Sequence, residues 1–314
     1  MSVTRITEGL LCDRVPIVRL ESELLQVEVA PAIGGKIVSL VDKSSGYQFL
    51  WRNRRLELCG VAPGSAYDPS FWGGIDELIP NDAPETINGL PSPDHGELWT
   101  MPLDYRLDGQ GLVLWGTLPR CGIRYEKRLT LRTDGPILNL DYRLNNPSGG
   151  RRAFMWKLHA ALNIGPGDRI ICPAGMARVI DPAWSRWHDS EPFAWPTIEG
   201  QQADIIPAAD GTTDFLYLYQ LRAGQIAWVS AARKLTFRYS FDQHVFPYAQ
   251  YFASYGGLDG HYTAILEPCS SMPLMVSDAD RLGQCSVLMP EEGIETRVAI
   301  YAGPCLGSDQ HWPR

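Results

Sequence analysis

Residues 111–144 read GLVLWGTLPRCGIRYEKRLTLRTDGPILNLDYRL. Three short runs stand out in this stretch, at 111–115, 123–132 and 137–144. The breaks between them are Pro119-Arg120-Cys121-Gly122 and Thr133-Asp134-Gly135-Pro136. Pro and Gly set in polar residues turn a chain sharply, so the pattern predicts three consecutive strands of an antiparallel meander. The same texture continues outward. Residues 24–29 (LLQVEV) alternate apolar and polar side chains, as a half-buried strand does. Gly34-Gly35 interrupts, residues 36–40 resume, and Asp42 to Gly46 (DKSSG) forms a turn before the apolar 47–51. Asn145 to Gly150 (NNPSGG) is another turn, and later strand candidates lie at 215–221, 226–230, 235–241, 262–266, 285–289 and 295–301. Helical periodicity is scarce, and 30 Gly and 24 Pro are spread along the chain. The expectation is an all-β protein, with residues 1–314 forming one large antiparallel β-sandwich domain.

Charge and cysteine usage narrow the function. The formal net charge is -8 and no polybasic run occurs, which argues against a nucleic-acid partner. No apolar run approaches the ~20 residues of a membrane-spanning helix, so no membrane partner is expected. The opening MSVTRITEGLLCDRVP lacks a basic segment followed by an apolar one. The 7 Cys are widely spaced with no CxxC pair. Free thiols in a reducing cytoplasm are therefore expected, and no zinc-ribbon site. A small neutral or weakly polar ligand fits this balance best. Two long segments, 59–95 and 173–214, are poor in periodicity; connections of that length are usually functional, and these are expected to wall a cleft.

Three places could carry chemistry. His95 sits in PSPDHGELW (91–99), where two prolines stiffen the approach and Gly96 lets the backbone come close to a neighbour. His159 sits in FMWKLHAALNI (154–164); as a strand, Trp156, Leu158, Ala160 and Leu162 share one face, and Lys157, His159, Ala161 and Asn163 the other. Glu267 closes the apolar run 262–266 and precedes Pro268; a buried carboxylate there has a raised pKa suited to general-base work. Each residue alone also has an ordinary structural reading: a surface histidine, a core histidine satisfied by its neighbours, a strand-end charge in water. His244 and His261, near Asp242 and Asp259, do not match a metal-ligand spacing, and the chain has neither a GxSxG elbow nor a P-loop.

Taken in order, Gly34-Gly35 to Gly46, His95-Gly96, the HxxxN of His159 to Asn163, and Leu266-Glu267-Pro268 resemble the aldose 1-epimerase, or galactose mutarotase-like, family over nearly the whole chain. The resemblance implies a β-supersandwich with an open cleft across one sheet. It implies Glu267 as the base that takes the anomeric hydroxyl proton, His159 as the acid that protonates the ring oxygen, and His95 as a donor to that oxygen, with no metal or cofactor. It also implies a sugar-binding Asp, for which Asp214 is the candidate and Asp181, Asp204 and Asp242 are rivals. The segment 72–81 (WGGIDELIPN) supplies Trp72, Asp76, Glu77 and Asn81 as further substrate contacts, with Asn163, but not the Arg of hexose-phosphate epimerases. Together with the residues after Gly96, this departure points to an uncharacterised branch. The implied activity is interconversion of α and β anomers of a hexose or hexose derivative, by a monomer or homodimer. The alternatives are a non-catalytic carbohydrate-binding protein, or another sugar isomerase or lyase on the same fold.

Overall fold

The computed structural model describes residues 4–305. The chain is 49% strand and 5% helix, and two large antiparallel sheets dominate it. The meander is where the sequence puts it: Asp104–Leu107, Gly111–Thr117, Arg124–Leu131 and Ile137–Asn145 are consecutive neighbours. They form one half of an eight-stranded sheet that continues through Gly293–Pro304, Leu235–Ser240, Gln225–Ser230 and Arg169–Ile171.

The second sheet has twelve strands. At its centre, in spatial order, lie Lys36–Asp42, Ile75–Leu78, Lys157–Leu162, Tyr262–Cys269, Tyr248–Tyr255 and Thr213–Leu221. Its inner-facing side chains, among them Leu158, Ala160, Leu162, Ala264 and Leu266, pack with Leu129, Leu140, Val298 and Ile300 of the smaller sheet in one continuous core. This is the face-to-face burial that makes a sandwich stable. No described helix is long and apolar enough to cross a membrane, and the described cysteines are all free thiols.

One ion pair lies inside this core. Lys127, on the meander strand Arg124–Leu131, is fully buried and donates to Glu77 Oε1 at 2.8 Å, Glu77 Oε2 at 2.9 Å and the Gly35 carbonyl at 2.8 Å. The Tyr142 hydroxyl donates to Glu77 Oε1 at 2.7 Å. Burial raises the Glu77 pKa, with Lys127 and Tyr142 opposing the rise. Glu77 was expected to touch substrate. It faces the sandwich interior instead, because its neighbours Asp76 and Leu78 take the outer face of the pleat.

Removing one partner of a buried pair strands the other charge. Lys127→Met should therefore lower the unfolding free energy by about 3–5 kcal/mol, and the double variant Glu77→Leu/Lys127→Met should recover most of the loss. Urea titrations of the three proteins check this; a single variant as stable as wild type would mean the pair is not held charged.

Candidate active site

The strand Lys157–Leu162 alternates as its sequence requires: Leu158, Ala160 and Leu162 turn into the core, and Lys157, His159 and Ala161 turn outward. Its partner Tyr262–Cys269 does the same, with Ile265 and Glu267 outward. Lys157 pairs with Cys269 and Ala160 with Leu266. That register sets His159 opposite Glu267, so the two side chains project side by side from neighbouring strands. Gln250 lies across from Glu267 on the next strand.

His159 is buried, with the rings of Tyr67 and Phe71 set edge-on to it. Its Nδ1 is 3.3 Å from the Tyr67 hydroxyl, which donates its single proton to Asp76 Oδ2 at 2.8 Å. The phenol oxygen can then only accept from the ring, which assigns the imidazole proton to Nδ1 and leaves Nε2 to exchange protons with a ligand. Burial, followed by the Lys157 ammonium, the neighbouring His95 ring and the Lys36 ammonium, pushes the His159 pKa well below 6.5. The resting ring is neutral.

Glu267 is 1% exposed. Burial raises its pKa, against the pull of Lys157. The Lys157 ammonium lies 2.7 Å from Glu267 Oε2, an ion-pair contact that is off-axis for a hydrogen bond, and donates to Asp82 Oδ2 at 2.8 Å and Gln250 Oε1 at 3.0 Å. Burial disfavours the ammonium, but Asp82 and Glu267 outweigh that and raise the Lys157 pKa. Burial likewise works against the Asp82 carboxylate, yet Lys157 and His95 hold its pKa below the ordinary value.

His95 caps the group from a loop. Its Nδ1 is 2.7 Å from Asp94 Oδ1 and its Nε2 is 3.3 Å from Asp82 Oδ1, while its ring stacks on Tyr67 with centroids 4.0 Å apart. The loop is tightly fixed. His95 has φ +56° and its N–H donates to the Asp82 carbonyl at 2.6 Å. Gly96 has φ +75°, and a β-carbon there would lie 2.2 Å from the Ile79 carbonyl oxygen, so only glycine fits.

These residues share one cavity of about 310 Å³. Tyr67, Asp68, Phe71, Asp82, Asp94 and His95 come from one long aperiodic segment, and Asp181 and Trp184 from the other. The two segments do wall a cleft, and its floor is the outer face of the large sheet. Trp184 is 50% exposed and offers an apolar plane at the rim. Among the described residues, no group of three or more His, Cys, Asp or Glu side chains is placed to hold a metal ion.

His95, His159 and Glu267 thus come together, and the expected substrate contacts do not. Asp214 lies outside the cavity lining: Arg186 clamps both its oxygens at 2.9 and 3.0 Å and Tyr255 donates at 2.8 Å. Asp76 sits one layer behind, held by Lys36 at 2.6 Å and by Tyr67. Asn81 ties its own loop through the Ala83 and Pro93 carbonyls, and Asn163 sutures the strand to the Gln48 and Leu50 carbonyls. Trp72 packs with Ile17, Ala30, Ile33 and Val38 under the Arg52 guanidinium. Of the rival aspartates, Asp204 pairs with Arg169 and Asp242 accepts from a backbone N–H in its own turn, whereas Asp181 does line the cavity. Lys157, Asp82 and Tyr67 were not foreseen. Lys157 had a signal, since it shares the face of His159 two residues away; Asp82 and Tyr67 lie in an aperiodic segment and had none.

The sequence profile of a domain of unknown function, DUF5107, matches residues 11–200. The chain belongs to the DUF5107 family. This DUF5107 chain also resembles solved structures over nearly its full length. A galactose mutarotase-like protein from Clostridium acetobutylicum superposes with a TM-score of 0.68 at 15% identity, covering 96% of this chain and 99% of that one. A galactose mutarotase-like protein from Lactobacillus casei gives 0.65 at 16%, with 91% and 99% covered. The Slr1438 protein from Synechocystis sp. PCC 6803 gives 0.70 at 16%, with 93% and 97% covered. The fold is therefore the galactose mutarotase-like sandwich.

The neutral, buried His159 has a consequence for stability. A histidine whose folded pKa is depressed binds fewer protons folded than unfolded, so it destabilises the fold as pH drops below the unfolded value of about 6.5. Between pH 7 and 5, wild-type stability should fall by up to about 1.4 kcal/mol per pH unit more than that of His159→Gln. Parallel denaturant titrations at several pH values test this; identical slopes would place a charged ring in the native state.

Proposed function

We propose that this protein interconverts the α and β anomers of a pyranose sugar by general acid/base ring opening. The observation that carries the reading is the pair His159 and Glu267, side by side on the cavity floor with proton affinities pushed toward each other: burial raises the carboxyl and lowers the imidazole. Anomer exchange runs both ways, so each group must give and take a proton with little preference, and converging affinities suit that task. A cavity of about 310 Å³ is at the small end of ligand pockets, roughly 300–1,000 Å³, as a monosaccharide requires. Trp184 supplies a surface on which the apolar face of a sugar ring stacks.

The steps balance without any other reactant. Glu267 takes the anomeric hydroxyl proton, the C1–O5 bond breaks as the C1 carbonyl forms, and the His159 imidazolium gives its Nε2 proton to O5. Rotation about C1–C2 presents the other carbonyl face. O5 then re-attacks C1, His159 takes its proton back and Glu267 returns a proton to O1. His95, whose Nδ1 is held by Asp94 Oδ1, would turn its Nε2 from the 3.3 Å contact with Asp82 Oδ1 to donate to the ring oxygen and orient it.

Exchange of freshly dissolved anomers, followed by polarimetry or NMR, tests the assignment. Glu267→Gln should lower kcat by about 10²–10⁴-fold while sugar binding persists; wild-type exchange in that variant would remove Glu267 as the base. Because the working form needs a proton on a ring that burial keeps neutral, kcat/KM should rise by up to about tenfold per pH unit from pH 8 toward 6. A flat profile over that range would mean that no protonated ring is needed, removing His159 as the acid.

A further inference from the structure

The cavity walls carry Asp68, Asp82, Asp94, Asp181 and Glu267 against a single lysine, Lys157, and no arginine among the lining residues. Lys157 has no capacity left for a ligand anion. Two of its protons go to Asp82 Oδ2 at 2.8 Å and Gln250 Oε1 at 3.0 Å, and its charge is already met by the Asp82 carboxylate and by Glu267 Oε2 at 2.7 Å. His95 is flanked by the Asp94 and Asp82 carboxylates. Asp68, exposed at the cavity mouth, registers the resulting field: its pKa is raised first by partial desolvation and then, against His95, by the negative charges of Asp94, Asp82 and Asp259. Two oxygens behind the cavity surface, Asp82 Oδ1 and Glu267 Oε2, accept no well-aligned hydrogen bond and face only His95 Nε2 at 3.3 Å and the Lys157 ammonium at 2.7 Å. Asp82 is 4% exposed and Glu267 1%. The lining carboxylates offer acceptors and negative charge, which a ligand hydroxyl or ammonium group matches and a phosphate or carboxylate group does not.

Resting on the sugar reading above, we propose that the cavity selects uncharged or ammonium-bearing pyranoses and rejects pyranoses carrying a phosphate or carboxylate. A hydroxyl of a neutral sugar donates to a lining carboxylate such as Asp68 or Asp181 without disturbing the Lys157 contacts. An amino sugar adds attraction to Asp68 and Asp181, neither of which has a lysine or arginine ion pair among the described residues. An anionic group would meet several like charges within a partly enclosed space, where screening by solvent is weak.

The test uses four matched sugars in both gluco and galacto forms: the hexose, the 2-amino-2-deoxyhexose, the hexose 6-phosphate and the hexuronate. Anomer exchange is measured by NMR, and binding by saturation-transfer difference on the same samples, at low and high salt. The expected result is that the hexose and amino sugar bind and exchange, with kcat/KM for the anionic pair lower by about tenfold or more. Added salt, and separately Asp68→Asn and Asp181→Asn, should narrow that gap several-fold, because both weaken the field; a purely steric barrier would respond to neither. Anionic sugars that bind or exchange as well as the parent hexose would overturn the proposal, as would a gap untouched by salt and by both variants, or no binding by any sugar. If the neutral and amino sugars bind without faster exchange, the anomer reading fails, while the order of binding still decides the charge rule.

Discussion

The Lys157 ammonium is the interaction on which the site depends. Asp82 and Glu267 are both almost wholly removed from water, and two carboxylates facing each other there would be untenable without a cation between them. The same ammonium joins two parts of the molecule with different origins. Glu267 belongs to the sheet, whereas Asp82 belongs to the loop whose backbone fixes His95. One charge therefore sets both the state of the floor and its distance from the wall, and His159, next but one along the strand, feels it as a force against protonation.

Two buried glutamates show why burial alone does not make a residue reactive. Glu77 and Glu267 both lie on the large sheet, both face lysines, and burial raises both pKa values. Glu77 points inward and has its oxygens met by Lys127 and Tyr142. Glu267 points outward into a cavity and keeps an oxygen that no hydrogen bond satisfies. The difference comes from the pleat: successive residues alternate faces, so parity along the strand separates a structural ion pair from a group available for chemistry.

Much of this was legible in the sequence where one face of a strand differs from the other. The meander and the two faces of the strand around His159 could be read because their alternation is clean. The strand Tyr248–Tyr255 (YAQYFASY) could not, although it lies in the middle of the large sheet, because both its faces mix aromatic with small or polar residues and neither is marked by charge. The substrate contacts failed for another reason. Asp214 looked available because its partner, Arg186, sits in an aperiodic segment far away in sequence; nothing local reports that a carboxylate is already occupied. Tyr67 and Asp82 lie in the other such segment, where folding rather than pattern brings them to His159 and Lys157.

The division between a strand-borne floor and loop-borne walls bears on how such a protein can diverge. Lys157, His159 and Glu267 are anchored in strands whose opposite faces build the core, so changing the backbone beneath them would disturb the whole sandwich. Asp68 and Trp184 are exposed and hold up nothing comparable. Drift at such wall positions alters what the cavity recognises at little cost to the fold. A lineage built this way can acquire new ligands through its rim while keeping its floor intact, and chains with nearly the same backbone can differ widely in sequence and in the ligand they take.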